Sequence, residues 1–174
     1  KETILRLLII LSFITLSIIF IIPLQQYHVI FSAGDMPYHI NRIQELTDNI
    51  KEGNWYPYLY SHHFKDTAYL LGVFYPQLTL IPFALACLLV KNYVTGIYIG
   101  MSLFSFLTMI NVYVVMKKLK RTQLESFLTS VVYCFCTYRS INAFSRFALG
   151  EYIGMTFIPL AMYGLYAILV GNRR

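Results

Sequence analysis

An uncharged apolar run of 18 residues, Leu7 to Leu24, limits what this chain can fold into more than any other feature. A helix of about 20 such residues crosses the hydrocarbon core of a bilayer, which is roughly 30 Å thick. Two more uncharged runs of at least that length follow, Val94 to Met116 and Ile153 to Val170. Because backbone polar groups in lipid must be satisfied within the segment, these runs predict transmembrane α-helices.

The first run has a second interpretation, a secretory signal peptide. Signal cores hold roughly 7–15 apolar residues and end at a small-residue cleavage site. The run from Leu7 to Leu24 is longer than that, and no Ala-x-Ala-like site follows it. We therefore interpret it as a retained span, preceded by the basic residues Lys1 and Arg6.

Charged residues are too few for a soluble globule of this size, since 57% of the side chains are hydrophobic and 13% are charged. We therefore predict an all-α, polytopic transmembrane protein with a single membrane domain over residues 1–174. The net charge of +6 indicates a lipid bilayer and no nucleic acid as partner, because the basic residues adjoin apolar runs. Because the first residue is Lys1 and the chain ends shortly after its last apolar run, we expect it to be a fragment of a longer protein.

A polar segment between the first two long runs, residues 25–93, contains a predicted helix from Met36 to Glu52. Asp35 can accept the free backbone N–H groups at the start of this helix. Pro37 suits a first turn that needs no N–H donor, and Gly53 can close the far end. These three residues together define the predicted bounds.

The helix from Met36 to Glu52 is predicted to be amphipathic. At about 100° per residue, Asp35, His39 and Arg42 lie along one edge of its apolar face. The apolar side chains are Met36, Ile40, Ile43, Leu46 and Ile50, and the side chains that point away are Tyr38, Asn41, Glu45, Asp48, Asn49 and Glu52. We expect such a helix to lie in the membrane surface, with its three edge residues at the water–lipid boundary.

Another apolar run, Leu78 to Val90, is short for a span and contains Pro82. We predict a helix over about residues 77–90 that lies along the outer leaflet or dips into it. A fourth span is predicted over residues 124–138, followed by a polar turn over residues 139–146.

The positive charges favour a cytoplasmic N-terminus, because short cytoplasmic segments carry an excess of Lys and Arg. With four spans over 7–24, 94–116, 124–138 and 153–170, eight of the 14 basic residues fall on the inner side. These eight are Lys1, Arg6, Lys117, Lys118, Lys120, Arg121, Arg173 and Arg174. The long loop over residues 25–93 is then on the outer side.

This arrangement resembles the GT-C superfamily of membrane glycosyltransferases, in which a long first outer loop opens with an acidic residue on a helix. More narrowly, three segments look like those of bacterial YfhO-type and 6-pyruvoyl-tetrahydropterin-synthase-related membrane proteins. The segments are Asp35-Met36-Pro37-Tyr38-His39-Ile40-Asn41-Arg42-Ile43, Phe74-Tyr75-Pro76-Gln77-Leu78, and Arg146-Phe147-Ala148-Leu149-Gly150-Glu151 followed by Ile158-Pro159-Leu160. The resemblance covers essentially the whole chain, as the N-terminal part of such an enzyme.

The resemblance implies a hexosyltransferase-type enzyme of the bacterial cell envelope. Its donor would be a polyisoprenyl-phosphate sugar, used at the outer face of the inner membrane. Asp35 would be the catalytic carboxylate or would hold a divalent cation, Mg²⁺ or Mn²⁺. Many members carry two acids in this loop, whereas here Asp35 stands alone between Gly34 and Met36.

Each candidate residue also has a structural interpretation. Asp35 can be only a helix N-cap, worth about 1 kcal/mol. His39 can be an interfacial aromatic residue and Arg42 can snorkel to the surface, or both can contact substrate. Arg139 or Arg146 can bind phosphate through its guanidinium group. Glu151 adjoins an apolar run, where it needs a charged partner.

A non-catalytic membrane protein is the alternative function, either a lipid or polymer transporter or an assembly subunit. Transporters place ionisable residues in the middle of their spans. The runs 7–24, 94–116 and 153–170 contain none. Their composition therefore favours chemistry at the outer surface.

The predicted topology can be tested by cysteine labelling of intact cells with an impermeant maleimide, in a background without the three native cysteines. Asn54→Cys and Ser61→Cys should react, because the loop over residues 25–93 is placed outside. Leu119→Cys should react only after the membrane is permeabilised. Labelling of Leu119→Cys in intact cells would contradict the four-span arrangement.

Overall fold

A computed structural model describes residues 2–25, 34–64 and 69–170, and their regular secondary structure is helical. The all-α prediction is confirmed. Predictions that concern Lys1, Arg173 and Arg174 lie outside the described residues. The helices are α1 (Glu2–Gln25), α2 (Met36–Lys51), α3 (Leu71–Phe74), a 3₁₀ turn (Leu78–Leu80), α4 (Ile81–Val90), α5 (Tyr93–Lys118), α6 (Gln123–Cys134), α7 (Thr137–Phe144) and α8 (Leu149–Val170).

Three of these helices, α1, α5 and α8, are long and apolar enough to cross a membrane. They have 24, 26 and 22 residues. At 1.5 Å per residue, each exceeds the roughly 30 Å hydrocarbon core. Each contains one of the three uncharged runs, and the chain is a membrane protein.

The prediction of a continuous helix over residues 124–138 is wrong. Helix α6 has 12 residues, or about 18 Å, and ends at Cys134. The backbone of Cys136 is extended, and α7 then begins at Thr137. The polar turn predicted over residues 139–146 is therefore largely helical. This break redirects the chain so that Arg139 of α7 reaches the backbone of α8, where its guanidinium donates to Tyr152 O at 2.7 Å.

The predicted bounds of α2 are confirmed to within one residue. Pro37 lies in the first turn. At the far end Gly53 has a φ of +87°, a conformation that favours glycine. Gly53 N donates to Ile50 O at 3.0 Å and Asn54 N donates to Asn49 O at 2.9 Å. This pair of bonds forms a Schellman motif, which satisfies the last carbonyl groups of the helix.

The prediction that helix α2 presents its apolar face to lipid is wrong. Met36, Ile43, Leu46 and Ile50 are buried, and α4 packs against the helix. Nine of its 16 residues are buried, including several polar ones. The helical periodicity was correct, but protein covers the apolar face that was expected to face the membrane.

The predicted helix over about residues 77–90 is present as the 3₁₀ turn followed by α4. Pro82 lies in the first turn of α4. Backbone N–H groups in the first turn make no hydrogen bond within the helix, so proline is tolerated there. The helix ends at Lys91, which has a left-handed φ of +53°. Leu78 and Leu89 are 71% and 84% exposed, so α4 retains an uncovered apolar side.

The sequence predicted one membrane domain, and within it the contacts define two compact units. Unit 1 consists of Lys1–Ile22 and Ser102–Arg174, and unit 2 of Pro23–Met101. Pro23 lies inside α1, where it cannot donate to the carbonyl group one turn earlier. One boundary between the units therefore coincides with a missing helical hydrogen bond.

Aromatic contacts show that α1 and α6 run in the same direction in unit 1. Phe13 stacks on Phe127 with ring centroids 5.4 Å apart, and Phe20 meets Phe135 edge to face at 5.2 Å. Residue numbers thus increase together along both helices. The two phenylalanine pairs form part of the apolar core of this unit.

Helix α5 runs opposite to α1 in the same unit. Phe13 lies edge to face on Tyr113 at 5.9 Å, and Ser17 accepts a hydrogen bond from Ser102 at 3.2 Å. The higher residue number on α1 thus meets the lower number on α5. Short polar contacts between apolar helices are a common way of holding membrane helices together.

Buried hydroxyl groups join α5 to α8. Ser105 pairs with Tyr152 at 2.6 Å, and Thr108 pairs with Thr156 at 2.9 Å. Asn111 Nδ2 also donates to Thr156 O at 2.9 Å. Helices α5 and α8 therefore run in the same direction, with their buried polar groups satisfied by one another as an apolar surrounding requires.

In unit 2, α4 packs closely against two glycines of α5. A Cβ atom added at Gly96 would lie 2.5 Å from Cys87 Cα, and one at Gly100 would lie 2.2 Å from the Phe83 ring. Glycines four residues apart let two helix backbones approach in this way. The spacing fixes α4 on one face of α5.

We expect Gly96→Ala to lower the free energy of unfolding by roughly 1–3 kcal/mol, because the new methyl group meets backbone atoms that cannot rotate away. Gly154→Ala in α8 is the matched control, since a Cβ atom there meets nothing within 4 Å. That change should be neutral or stabilising by up to about 1 kcal/mol. Thermal unfolding in detergent measures both, and equal effects would contradict the close packing of α4 on α5.

Candidate functional site

Asp35 stands at the start of α2 with an exposed side chain. Its carboxylate makes no capping hydrogen bond, so the predicted N-cap interaction is wrong. The reason is the backbone: Asp35 has φ −84° and ψ 7°, whereas capping side chains need an extended backbone. Only its carbonyl oxygen joins the helix, accepting from His39 N at 3.1 Å. The carboxylate is therefore available for another role.

His39, one turn further along, is 6% exposed. Burial, reinforced by the positive charge of Arg42 and opposed by Asp35, lowers the pKa of His39 to about 4. The imidazole is therefore neutral near pH 7. Its Nδ1 atom has no hydrogen-bond partner within the described part of the chain.

Arg42 is 3% exposed and does not snorkel to the surface. Its Nη2 atom donates to Pro76 O at 2.9 Å. The guanidinium carbon lies 4.8 Å from the ring centroid of Tyr75 and 5.6 Å from that of Tyr38. Over residues 2–25, 34–64 and 69–170 no carboxylate forms an ion pair with Arg42, and Nε has no partner. Aromatic faces are thus the surroundings of this buried cation.

Two further residues of this site were missed by the sequence analysis. Tyr60 is fully buried, burial raises the pKa of its hydroxyl group to about 12, and Arg42 opposes that rise. Gln77 is also fully buried, with Nε2 donating to Pro57 O at 2.7 Å and to Gly72 O at 3.1 Å. The Tyr60 hydroxyl group interacts with Arg42, and Gln77 Oε1 lacks a partner among the residues described. The sequence signal that could have identified Gln77 is its position directly after the Tyr75-Pro76 step.

Glu45 was predicted to point away from the apolar face, and this is wrong because it is fully buried. Its carboxylate accepts hydrogen bonds from three consecutive backbone N–H groups, Ser61 at 2.7 Å, His62 at 3.2 Å and His63 at 2.8 Å. The amide of Asn49 adds a fourth bond at 3.2 Å. A helical wheel cannot show this, because the covering loop comes from residues 61–63.

The adjacent histidines of that loop bind different acids of α2. His63 Nε2 lies 2.6 Å from Asp48 Oδ2, and His62 Nε2 lies 3.7 Å from Glu52 Oε2. Partial burial acts to raise the pKa of Asp48, but hydrogen bonds from His63, Lys51 and Tyr93 together lower it below its usual value. His63 therefore attaches the loop to α2, whereas the exposed pair of His62 and Glu52 contributes little.

The described residues offer few ligands for the divalent cation that the resemblance to GT-C enzymes implies. Within the described ranges, no three His, Cys, Asp or Glu side chains are grouped so as to hold a metal ion. Mg²⁺ keeps several water ligands and is usually held by one or two carboxylates together with substrate phosphates, and Asp35 would supply a single carboxylate. A divalent cation at Asp35 therefore stays a prediction, and no chemical step is assigned to one.

Arg139 of α7, in unit 1, is fully buried. Besides its bond to Tyr152 O, its guanidinium carbon lies 3.9 Å from the centroid of the Tyr152 ring. Nε and Nη2 have no hydrogen-bond partner in the described part of the chain. Arg139 thus shares with Arg42 the combination of burial, aromatic stacking and unused donors.

Glu151 at the start of α8 has the charged partner that its position required. Arg146 Nη2 lies 3.1 Å from Glu151 Oε1, and both side chains are about half exposed, at 49% and 42%. Asn142 Nδ2 donates to Glu151 at 3.1 Å, and the Tyr138 hydroxyl also donates to it. Glu151 and Arg146 therefore connect α7 to α8, and their charges are used in that connection.

The predicted site residues divide between the two units. Asp35, His39 and Arg42 belong to unit 2, where the imidazole responds to both neighbouring charges. The other three, Arg139, Arg146 and Glu151, belong to unit 1. Comparison of the chain with protein-family models, curated proteins and solved structures gives no match. The chemistry of these residues is therefore the basis for a functional proposal.

Replacing Glu45 by Gln should lower the free energy of unfolding by roughly 1–3 kcal/mol. The amide nitrogen of Gln cannot accept a hydrogen bond, so a backbone N–H group that donates to Glu45 in the wild type would lose its partner. Faster proteolysis within residues 54–64 should accompany this loss. Glu52→Gln is the control, since that carboxylate is 62% exposed. Equal unfolding temperatures for wild type and Glu45→Gln would contradict the role of the buried carboxylate.

Proposed function

We propose that this protein is a GT-C-like glycosyltransferase that moves a sugar from a polyisoprenyl-phosphate donor at the outer face of a bacterial cell membrane. The observation that carries the proposal is the buried guanidinium of Arg42, which has no carboxylate partner in the described part of the chain. A buried cation is unfavourable unless an anion pairs with it. Phosphate matches the planar donor array of arginine, so a lipid phosphate would supply the missing charge.

Arg139 supports the same chemistry independently. It is fully buried, it stacks on Tyr152, and two of its guanidinium nitrogens are unused within the described residues. Arg146 is a weaker candidate for phosphate binding, because Glu151 already neutralises it. The structure therefore favours Arg42 and Arg139 among the arginines that the sequence analysis named.

Asp35 would act as the general base of the transfer. It would accept the proton of the acceptor hydroxyl group, whose oxygen then forms the new bond to the anomeric carbon of the sugar. The bond between that carbon and the phosphate oxygen would break, and the lipid phosphate would leave with the electron pair. Arg42 would stabilise the charge of the leaving phosphate, while the neutral imidazole of His39 can donate or accept a hydrogen bond nearby.

A cytoplasmic N-terminus and an outer loop over residues 25–93 complete the proposal. The charge distribution supports this orientation. The helix directions in unit 1 are compatible with it, because α1 and α6 run one way and α5 and α8 the other. Helix α6 covers only about 18 Å, so its ends would rely on flanking residues to reach the interfaces.

The alternative function is a non-catalytic membrane protein, either a lipid or polymer transporter or an assembly subunit. The observation that favours it is the lone carboxylate at position 35, since many related transferases carry two acids there. In that case, the phosphate-binding arginines would hold a lipid without any transfer of its sugar. A substitution that removes the charge of Asp35 distinguishes between the two proposed functions.

Asp35→Asn should reduce sugar transfer by about 10²-fold or more, because it removes the base and keeps nearly the same shape. The side chain makes no capping bond, so the variant should unfold at the wild-type temperature. Transfer is measured in membranes that contain the complete protein, with a polyisoprenyl-phosphate sugar as donor and the protein level determined in parallel. Glu52→Gln, an exposed acid at the other end of α2, should transfer at the wild-type rate.

Wild-type transfer by Asp35→Asn would remove the catalytic assignment. If Arg42→Gln bound the lipid phosphate as tightly as wild type, the role of the buried guanidinium would be contradicted as well. Tight lipid-phosphate binding without sugar transfer in the wild-type protein would favour the non-catalytic alternative.

A further inference from the structure

The side-chain amide of Gln77 is fully buried, and only its nitrogen is hydrogen-bonded within the described ranges. Nε2 donates to Pro57 O at 2.7 Å and to Gly72 O at 3.1 Å. Both partners are carbonyl oxygens, which can only accept, so the amide cannot be turned over to place Oε1 in that position. Gln77 Oε1 is therefore an acceptor with a fixed orientation and an unused capacity to bind a donor.

The glycine at position 72 makes room for this arrangement. A Cβ atom added there would lie 2.5 Å from Gln77 Nε2 and 2.1 Å from Pro57 O. Any larger residue would push the amide away from the two carbonyl groups, whereas glycine permits their close approach. The orientation of Gln77 Oε1 thus follows from the backbone that surrounds Nε2.

Gln77 adjoins the buried guanidinium of the candidate site. Arg42 Nη2 donates to Pro76 O at 2.9 Å, and this carbonyl group belongs to the peptide bond that joins Pro76 to Gln77. Peptide geometry therefore places Gln77 Cα within about 6 Å of Arg42 Nη2. Arg42 Nε is a buried donor and Gln77 Oε1 a buried acceptor, and neither has a partner in the part of the chain that the structure describes. A ligand that satisfies both must contain an acceptor and a donor.

The proposed donor lipid has three chemically different parts, and they differ in what they can offer to these two groups. Its ionised phosphodiester accepts hydrogen bonds, which suits Arg42, but it has no proton to donate. The polyisoprenyl chain is a hydrocarbon and neither donates nor accepts. The sugar hydroxyl groups can donate, and they are joined to the phosphate through the ring. Of the three parts, only the sugar can therefore satisfy Gln77 Oε1.

We propose that Gln77 Oε1 accepts a hydrogen bond from a hydroxyl group of the transferred hexose and thereby selects the donor lipid by its sugar. This inference rests on the proposed function, because it takes the lipid phosphate to lie at Arg42. A site that hydrogen-bonds a substrate hydroxyl group discriminates against an analogue without it, since the buried acceptor is then left unpaired. Gln77 thus determines specificity, while Arg42 binds the phosphate that all such lipids share.

The test compares two lipids of equal charge by native mass spectrometry of the detergent-purified complete protein. One is polyisoprenyl-phosphate glucose or mannose, whichever binds more tightly. The other is the methyl ester of polyisoprenyl phosphate, which keeps the phosphodiester and has no hydroxyl group. Wild type should bind the sugar-bearing lipid about tenfold more tightly. Gln77→Met, which is similar in size and has no amide oxygen, should lose most of this preference.

Two control variants separate the sugar contact from phosphate binding and from folding. Arg42→Gln should weaken binding of both lipids by a similar factor, because it removes the charge that both phosphates contact. Gln123 is the matched glutamine, since its Oε1 atom also lacks a partner among the described residues but lies in unit 1. Gln123→Met should keep the tenfold preference. The ratio of the two affinities in one sample does not depend on the folded fraction, so a merely structural role of Gln77 would leave it unchanged.

Wild type also provides a measurement that needs no variant. Among sugar-bearing lipids that lack one hydroxyl group at C2, C3, C4 or C6, at least one should bind about tenfold more weakly than the parent lipid. Equal binding of all of them would overturn the proposal, as would an unchanged preference in Gln77→Met, because water would then satisfy Oε1.

The same titrations distinguish failure of this inference from failure of the proposed function. If wild type bound both lipids equally tightly and Arg42→Gln weakened both, the sugar contact alone would be refuted. If wild type bound neither lipid, the phosphate site at Arg42 would be refuted, and the proposal for Gln77 with it.

Discussion

The candidate site in unit 2 depends on the buried carboxylate of Glu45. A carboxylate without a cationic partner is tolerated in protein interiors only when N–H donors surround it. Here the backbone of residues 61–63 supplies three such donors. The bonds hold the loop over α2, and they fix Tyr60, which directly precedes the loop and interacts electrostatically with Arg42. One of the groups around the guanidinium thus depends on an acid of the same helix.

Lipid imposes the equivalent constraint on unit 1, because it can accept no hydrogen bond from the chain. The hydroxyl pairs between α5 and α8 meet this demand without any charged group. Arg139 meets it less completely, since two of its nitrogens have no partner in the described residues. The break between α6 and α7 is what brings this side chain to Tyr152. A break between two helices thus positions a buried group that is only partly hydrogen-bonded within the described residues.

The elements that could be predicted from sequence are those with a local physical cause. Helices α1, α5 and α8 follow from their uncharged length, and α2 follows from Pro37 and Gly53 at its ends. The errors arise where tertiary contacts decide the outcome. Nothing local marks the break at Phe135 and Cys136, because neither is a glycine or proline. The burial of Glu45, Tyr60 and Gln77 depends on segments distant in sequence, so periodicity could not reveal it.

Arg42 has no carboxylate partner among the described residues, so binding of the proposed phosphate ligand would be linked to the folding of unit 2. A ligand that binds only the folded state adds RT ln(1 + [L]/Kd) to its stability, or about 2.7 kcal/mol at a concentration of 100 Kd. An anion beside Arg42 also removes the unfavourable energy of burying that charge alone. Under the proposed function, the protein without its lipid would therefore be the less stable form. Extraction in a detergent that strips anionic lipids would then select this form, and depletion of the proposed donor lipid would expose it to cellular quality control.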